Sequence, residues 1–127
     1  MKNYSILFIA LLLLTLIGGC RKDKEAPTLS LLSPFEAAQV TAGTALSIKG
    51  KVADNEALHE LSIVVNKSPS GAQPFASAPV VHELKSYDFD LTWATTPADT
   101  GVYLLTITVS DHADNINVRK INFTVKP

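Results

Sequence analysis

The side chains that could do chemistry fall into three small groups. Asp54, Asn55 and Glu56 form one polar run, and Asp111, Asp114 and Asn115 form another. Carboxylates and amides supply the oxygen ligands that calcium takes about six to eight at a time. Asp and Asn in short runs also build Asx turns, because their side chains bond the nearby backbone and tolerate left-handed angles. Both readings stand for these residues. His59 and His112 form the second group. Imidazole suits zinc, but two histidines on separate loops, without cysteine or close His-x-His spacing, read more simply as surface residues. The third is Cys20, the single cysteine, which has no partner for an internal disulfide. Catalysis finds little support. Serines are plentiful, yet none sits in a nucleophile-elbow pattern with a positioned histidine and acid. No Gly-rich phosphate loop occurs, and Asp88 and Asp90 alternate along a strand as solvated acids do. The chain reads as a non-enzyme.

Strands must position these groups. Leu46, Ile48 and Val52 alternate with Ser47, Lys49 and Lys51, the period of two of a half-buried antiparallel strand. Leu61, Ile63 and Val65 repeat the pattern. Tyr87, Phe89, Leu91 and Trp93 alternate with Asp88, Asp90 and Thr92, giving one aromatic face. Tyr103, Leu105, Ile107 and Val109 point inward along the next strand, and Ile121, Phe123 and Val125 along the last. Val118 has the opposite parity, which predicts a bulge near Arg119 and Lys120. Shorter strands are expected at residues 28–32 and, as an edge, at residues 80–84. Residues 35–40 read as a connection. Residues 68–79 carry Pro69, Pro74, Pro79 and Gly71 and form the longest irregular stretch. Within it Phe75, in small and polar surroundings, marks a possible ligand loop; the alternative is that it folds back to cap the sandwich edge. Seven strands with frequent turns and no convincing helix predict an antiparallel β-sandwich.

The chain has 127 residues, the size of a single domain. Its formal charge is −1 and its basic residues are scattered, so nucleic acid is not an expected partner. Lys2 precedes an apolar run over residues 6–17 that only Thr15 interrupts. That run is shorter than the roughly 20 residues a spanning helix needs and fits a signal-peptide core. Ile17, Gly18, Gly19 and Cys20 then resemble the bacterial lipoprotein signal, which ends in an aliphatic residue, two small residues and cysteine. The resemblance implies cleavage between Gly19 and Cys20 and lipidation of Cys20. The domain plan is a signal peptide at 1–19, the lipidated cysteine and a charged tether at 20–26, and the β domain at 27–127. The mature chain would have 108 residues and, without Lys2, a charge of −2. Each buried CH₂ of an acyl chain contributes about 0.8 kcal/mol, so several chains hold a protein durably. The implied setting is the bacterial cell envelope, with an outer membrane as the partner of the lipid.

Asp99, Thr100, Gly101, Val102 and Tyr103 resemble the corner that precedes strand F of immunoglobulin-like domains. The resemblance implies that the Tyr103 hydroxyl bonds back to the backbone upstream. The cysteine pair of that family is absent, with Leu105 at the second cysteine position. Trp93, the single tryptophan, falls on the fifth or sixth strand instead of the third. The expectation is therefore a seven-stranded antiparallel immunoglobulin-like sandwich in the broad sense. The whole chain also resembles small Bacteroidota lipoproteins with a domain of unknown function. The shared features are the Lys22, Asp23, Glu25, Pro27, Thr28 opening, Asp54-Asn55 before Leu58, and Val109-Ser110-Asp111. This likeness brings no activity. An immunoglobulin-like topology places Asp54, Asn55, Glu56, Asp111, Asp114 and Asn115 at the end where Asp23 and Glu25 enter. Cadherin-type sandwiches hold calcium at that end, although their longer Asp-rich linker is missing here. The expected function is an envelope-anchored binding or structural accessory module for a protein or glycan. The alternative is a calcium-stabilised spacer.

Overall fold

The computed structural model describes residues 21–127; the expected signal peptide, Gly19 and Cys20 lie outside the described residues. Among the described residues there are eight strands and no helix. They are β1 (Thr28–Ser33), β2 (Ala38–Thr41), β3 (Ala45–Ala53), β4 (Leu58–Ser68), β5 (Phe75–Ser77), β6 (Ser86–Ala94), β7 (Gly101–Asp111) and β8 (Ile116–Lys126). Two sheets result, in the orders β1-β3-β6 and β2-β8-β7-β4-β5. Neighbours run antiparallel except β2 and β8, which are parallel.

The alternating patterns produce the core directly. Ile48, Val52, Phe89 and Trp93 face inward from the smaller sheet; Leu61, Ile63, Val65, Tyr103, Leu105, Ile107, Val109, Ile121, Phe123 and Val125 face them from the larger. The outward residues of β3 and β6 pair by charge. Lys49 lies opposite Asp90 and Lys51 opposite Asp88, with Nζ–Oδ2 distances of 2.9 and 4.0 Å. Both pairs are exposed, so each contributes at most about 1 kcal/mol. Gly50 has no room for a side chain. A Cβ there would collide with Phe89 Cζ and lie 2.5 Å from the Ser30 carbonyl oxygen.

The strand count departs from the expected seven in three places. Residues 38–41, expected as the end of a connection at 35–40 and the start of a turn, form β2, which is too short to show a period and owes its state to pairing with residues 123–126. Residues 80–84 form no strand: Val81 is buried, and a turn closes from Leu84 N–H to the Val81 carbonyl. The edge is instead β5, inside the stretch read as irregular, with Phe75 paired to Val65. Nor is there a bulge at Arg119 and Lys120, because the β7–β8 register is unbroken. Val118 simply faces solvent, 48% exposed. The register shifts lie elsewhere, between Leu31 and Ser33 and between Leu58 and Glu60.

Trp93, Tyr103 and Phe123 join the two sheets. Trp93 meets Tyr103 edge-on at 5.2 Å, and Tyr103 stacks on Phe123 at 5.6 Å. The Tyr103 hydroxyl donates to the Asp99 carbonyl at 2.9 Å, as the corner resemblance implies. The Asp99 carboxylate in turn accepts from the Thr96 N–H at 2.7 Å and the Thr96 hydroxyl at 2.8 Å. Tyr103→Phe keeps the ring packing and removes one hydrogen bond. It should cost about 1 kcal/mol, seen as a melting temperature about 4–8 °C lower. An unchanged melting temperature would show that the corner bond is not stabilising.

Candidate metal centre

Four segments meet at one end of the sandwich: residues 21–27, the β3–β4 loop at 54–57, residues 78–85 before β6, and the β7–β8 turn at 112–115. Local polar chemistry sets each one. The Asp54 carboxylate accepts the N–H groups of Glu56 and Ala57 at 2.9 Å through Oδ2, an Asx turn that starts the loop. Asp111, only 2% exposed, accepts the N–H groups of Ala113 at 2.7 Å and Asn115 at 2.8 Å through Oδ1. Its Oδ2 accepts from the Asn115 amide at 2.7 Å. The same Asn115 Nδ2 donates to the carbonyls of Asp23 at 3.1 Å and Glu25 at 3.3 Å. Asn117 Nδ2 donates to the Pro27 carbonyl at 2.9 Å. The segment entering β1 is therefore laid against the β7–β8 turn.

This convergence creates two groups of side chains that could hold a metal ion. In the first, one carboxylate oxygen each from Asp23, Asp54 and Asp111 lies within 4.8 Å of the others. Asp23 Oδ2 and Asp54 Oδ1 are buried and have no hydrogen-bond partner among the described residues. A cleft of about 170 Å³ opens beside them, lined also by Glu56, Glu83 and His112. In the second group, one nitrogen each from His59, His82 and His112 lies within the same 4.8 Å limit. Their ring centroids are 4.6–5.3 Å apart. Glu83 Oε1 stands 3.4 Å from His112 Nε2 and 3.7 Å from His82 Nδ1.

The structure gathers part of the expected calcium set. Asp54 and Asp111 come together, Glu56 lines the cleft, and Asp23 of the tether joins them. Asp114 points away, with its side chain 89% exposed and 3.6 Å from Lys22 Nζ. Asn55 contributes its carbonyl to Lys85 Nζ at 3.2 Å. Phe75 packs against the core from β5 and does not project as a loop anchor. His82 escaped the sequence reading because residues 80–84 were expected to be a strand. In the fold, His82 lies just before β6, whose first residue Ser86 pairs with Ala53, next to the loop that leads to His59.

Burial alone would push the Asp111 carboxyl upward. The hydrogen bonds from Asn115 and Ala113, with the charge of Lys22, outweigh that and hold it below its ordinary value of 3.8. The Asp99 carboxyl is lowered too, first by the Thr96 N–H and then by the Thr96 hydroxyl. Both groups bind protons more weakly in the folded chain than in the unfolded one. Their stabilisation is complete above about pH 5 and is lost as pH falls through the folded values, below 3.8. Melting temperature should fall over that window, and Asp111→Asn should flatten the fall while lowering stability at pH 7. A wild-type and a variant curve of the same shape would remove Asp111 from this role.

No protein-family model matches the chain, and no curated protein sequence does. Among solved structures, the fibronectin(III)-like modules of Clostridium thermocellum CbhA superpose with a TM-score of 0.50 at 16% identity. That match covers 79% of this chain and 46% of the other, so the chain spans about half the length of that structure. The soluble domain of PmoD from Methylocystis sp. superposes with a TM-score of 0.50 at 9% identity, covering 82% of this chain and 94% of that one. At such identities the likeness concerns the fold alone: the chain is an immunoglobulin- and fibronectin-III-like β-sandwich.

Proposed function

We propose that the chain is a lipid-anchored accessory domain of the bacterial cell envelope, held with the end that carries the aspartate and histidine groups toward the membrane and its opposite end free to engage a protein or glycan. The observation that carries this reading is the Asn115 clamp on the carbonyls of Asp23 and Glu25. It fixes the tether where it joins the sandwich. Three residue steps then separate Asp23 from Cys20, a reach of at most about 11 Å. An acylated Cys20 would keep that end close to the bilayer. The far end carries the β4–β5 connection and the residue 96–100 turn. There Asn66, Leu104 and Asn122 form a cross-strand row on the outer face of the larger sheet. An open groove of about 260 Å³ with Lys67 and Ser68 lies alongside. Its amide and hydroxyl groups around an apolar floor suit a polar partner.

Two variants and a crosslinker test the anchor. Cys20→Ser should lose lipid label and leave the membrane fraction. Photocrosslinkers at Asn55 and at Asp99 should label lipid unequally, with Asn55 ahead. Stronger labelling from Asp99 would reverse the orientation, and a membrane-bound, lipid-labelled Cys20→Ser would refute the anchor.

A second reading is favoured by the two unpartnered oxygens, Asp23 Oδ2 and Asp54 Oδ1. Three carboxylates this close repel one another, and calcium takes oxygen donors of this kind. The fit is partial, because both Asp111 oxygens already accept hydrogen bonds, so water would complete the shell. In this reading calcium rivets the tether to the β3–β4 loop. Calcium should then raise the melting temperature of the full chain relative to chelator, and Asp23→Asn should abolish the difference. Identical melting curves would eliminate the reading.

A further inference from the structure

We propose that His59, His82 and His112, with Glu83 beside them, form a binding site for a borderline divalent transition-metal ion, zinc(II) or copper(II). This site adjoins the aspartate group, whose cleft Glu83 and His112 also line, but uses different donors, and it does not depend on the lipid anchor.

All three histidines of the chain converge there from three different segments. The backbone aims each of them. β4 carries one extra residue between the pairs Leu58–Asp111 and Glu60–Ser110, and that unopposed residue is His59. A bulge of this kind re-aims a side chain that regular pairing would place elsewhere. Glu83 adopts a left-handed backbone with φ of 67°, unusual for a residue with a Cβ. It lies in a turn pinned on both sides of Leu58: the Glu83 N–H donates to the Leu58 carbonyl at 3.1 Å, and the Leu58 N–H donates to the Leu84 carbonyl at 2.8 Å. That turn presents His82 and Glu83 to His59. His112 follows Asp111 in the β7–β8 turn, whose shape the Asp111 hydrogen bonds fix.

The donor set has a marked chemical preference. Three imidazoles and a carboxylate suit zinc, copper or nickel, whereas calcium and magnesium prefer oxygen alone. Zinc held at about 2.0–2.1 Å by tetrahedral nitrogens needs those nitrogens about 3.3 Å apart. The nitrogens here lie within 4.8 Å of one another, so at most a modest inward turn of the rings completes the set. Their side chains are 40–53% exposed, which leaves the rings room to turn. His59 Nδ1 is buried with no hydrogen-bond partner among the described residues. A buried ring nitrogen without a partner is costly, and a metal ion would engage such a nitrogen. The Glu83 oxygen already stands beside two of the rings and offsets part of the charge of a bound dication.

The test is a titration of the purified full chain with cobalt(II), followed by visible absorbance, with zinc(II) added as competitor. One cobalt per chain should appear with the intense bands of tetrahedral nitrogen ligation and be displaced by zinc. His59→Gln, His82→Gln and His112→Gln should each weaken zinc binding by at least about tenfold, and Glu83→Gln by about tenfold. Asp90→Asn, on the outer face of β6 where it pairs with Lys49, should leave it unchanged. Melting of each variant in chelator reports folding separately; the exposed His82 and His112 positions keep the test valid if the His59 variant is unstable. Absence of cobalt or zinc uptake by the wild type would overturn the site. So would an affinity that survives His82→Gln, or one that Asp54→Asn destroys and the histidine variants do not.

Discussion

A carboxylate removed from water must be surrounded by donors or lose its charge, and Asp111 imposes that constraint on one whole end of the molecule. It sits at the last position of β7, almost fully buried, and takes three hydrogen bonds from Ala113 and Asn115. Satisfying its oxygens forces residues 112–115 into a tight turn. That turn directs the Asn115 amide inward, where the same nitrogen reaches the carbonyls of Asp23 and Glu25. The path of the tether, the entry into β8 and the placement of His112 thus follow from one ionised side chain. Lys22 reinforces the arrangement from outside through its charge.

The backbone of Leu58 carries the constraint across to the other segments. Leu58 pairs with Asp111 on one side and exchanges hydrogen bonds with residues 83 and 84 on the other. Its side chain is fully buried, so this junction is anchored in the core. Immediately after it the register slips by one residue, and the slip turns His59 outward. The end of the sandwich is therefore no collection of independent loops. Two adjoining residues of a single cross-strand pair, Leu58 and Asp111, position both the aspartates and the histidines.

Much of the fold was legible because period-two alternation is a direct consequence of a two-layer core. β3, β4, β6, β7 and the second half of β8 follow from Leu46, Ile48, Leu61, Ile63, Phe89, Trp93, Tyr103, Leu105, Ile121 and Phe123. The corner of Tyr103 was legible through the resemblance of residues 99–103 to immunoglobulin-like domains, a motif compact enough to be seen because its hydrogen bond spans only four residues. β2 and β5 were not legible, having four and three residues, which is too few for a period. Val118 misled because an exposed apolar residue on a strand mimics a change of parity. The aspartate group was partly legible, since Asx-forming residues mark turns and the topology places two of those turns together. The topology places Asp23 near this end, but its entry into the group itself depends on a clamp between residues 92 positions apart, which no local pattern encodes. The histidine group depended on a register slip and a left-handed glutamate, and neither leaves a compositional trace.

Placing two donor sets on adjoining walls raises the question of competition between ions. The Asp23, Asp54 and Asp111 set offers only oxygen, which hard cations accept; the His59, His82 and His112 set offers nitrogen, which borderline cations favour. Donor chemistry alone would therefore sort the ions. Charge works in the other direction, because Glu83 and His112 line the same cleft as the aspartates and a dication on either side repels one on the other. Glu83 is 70% exposed, so solvent and salt screen much of that repulsion. The balance leaves selection by donor type dominant. The acidic neighbours then act on the histidine side mainly by raising the local concentration of cations, which favours capture without changing which ion is preferred.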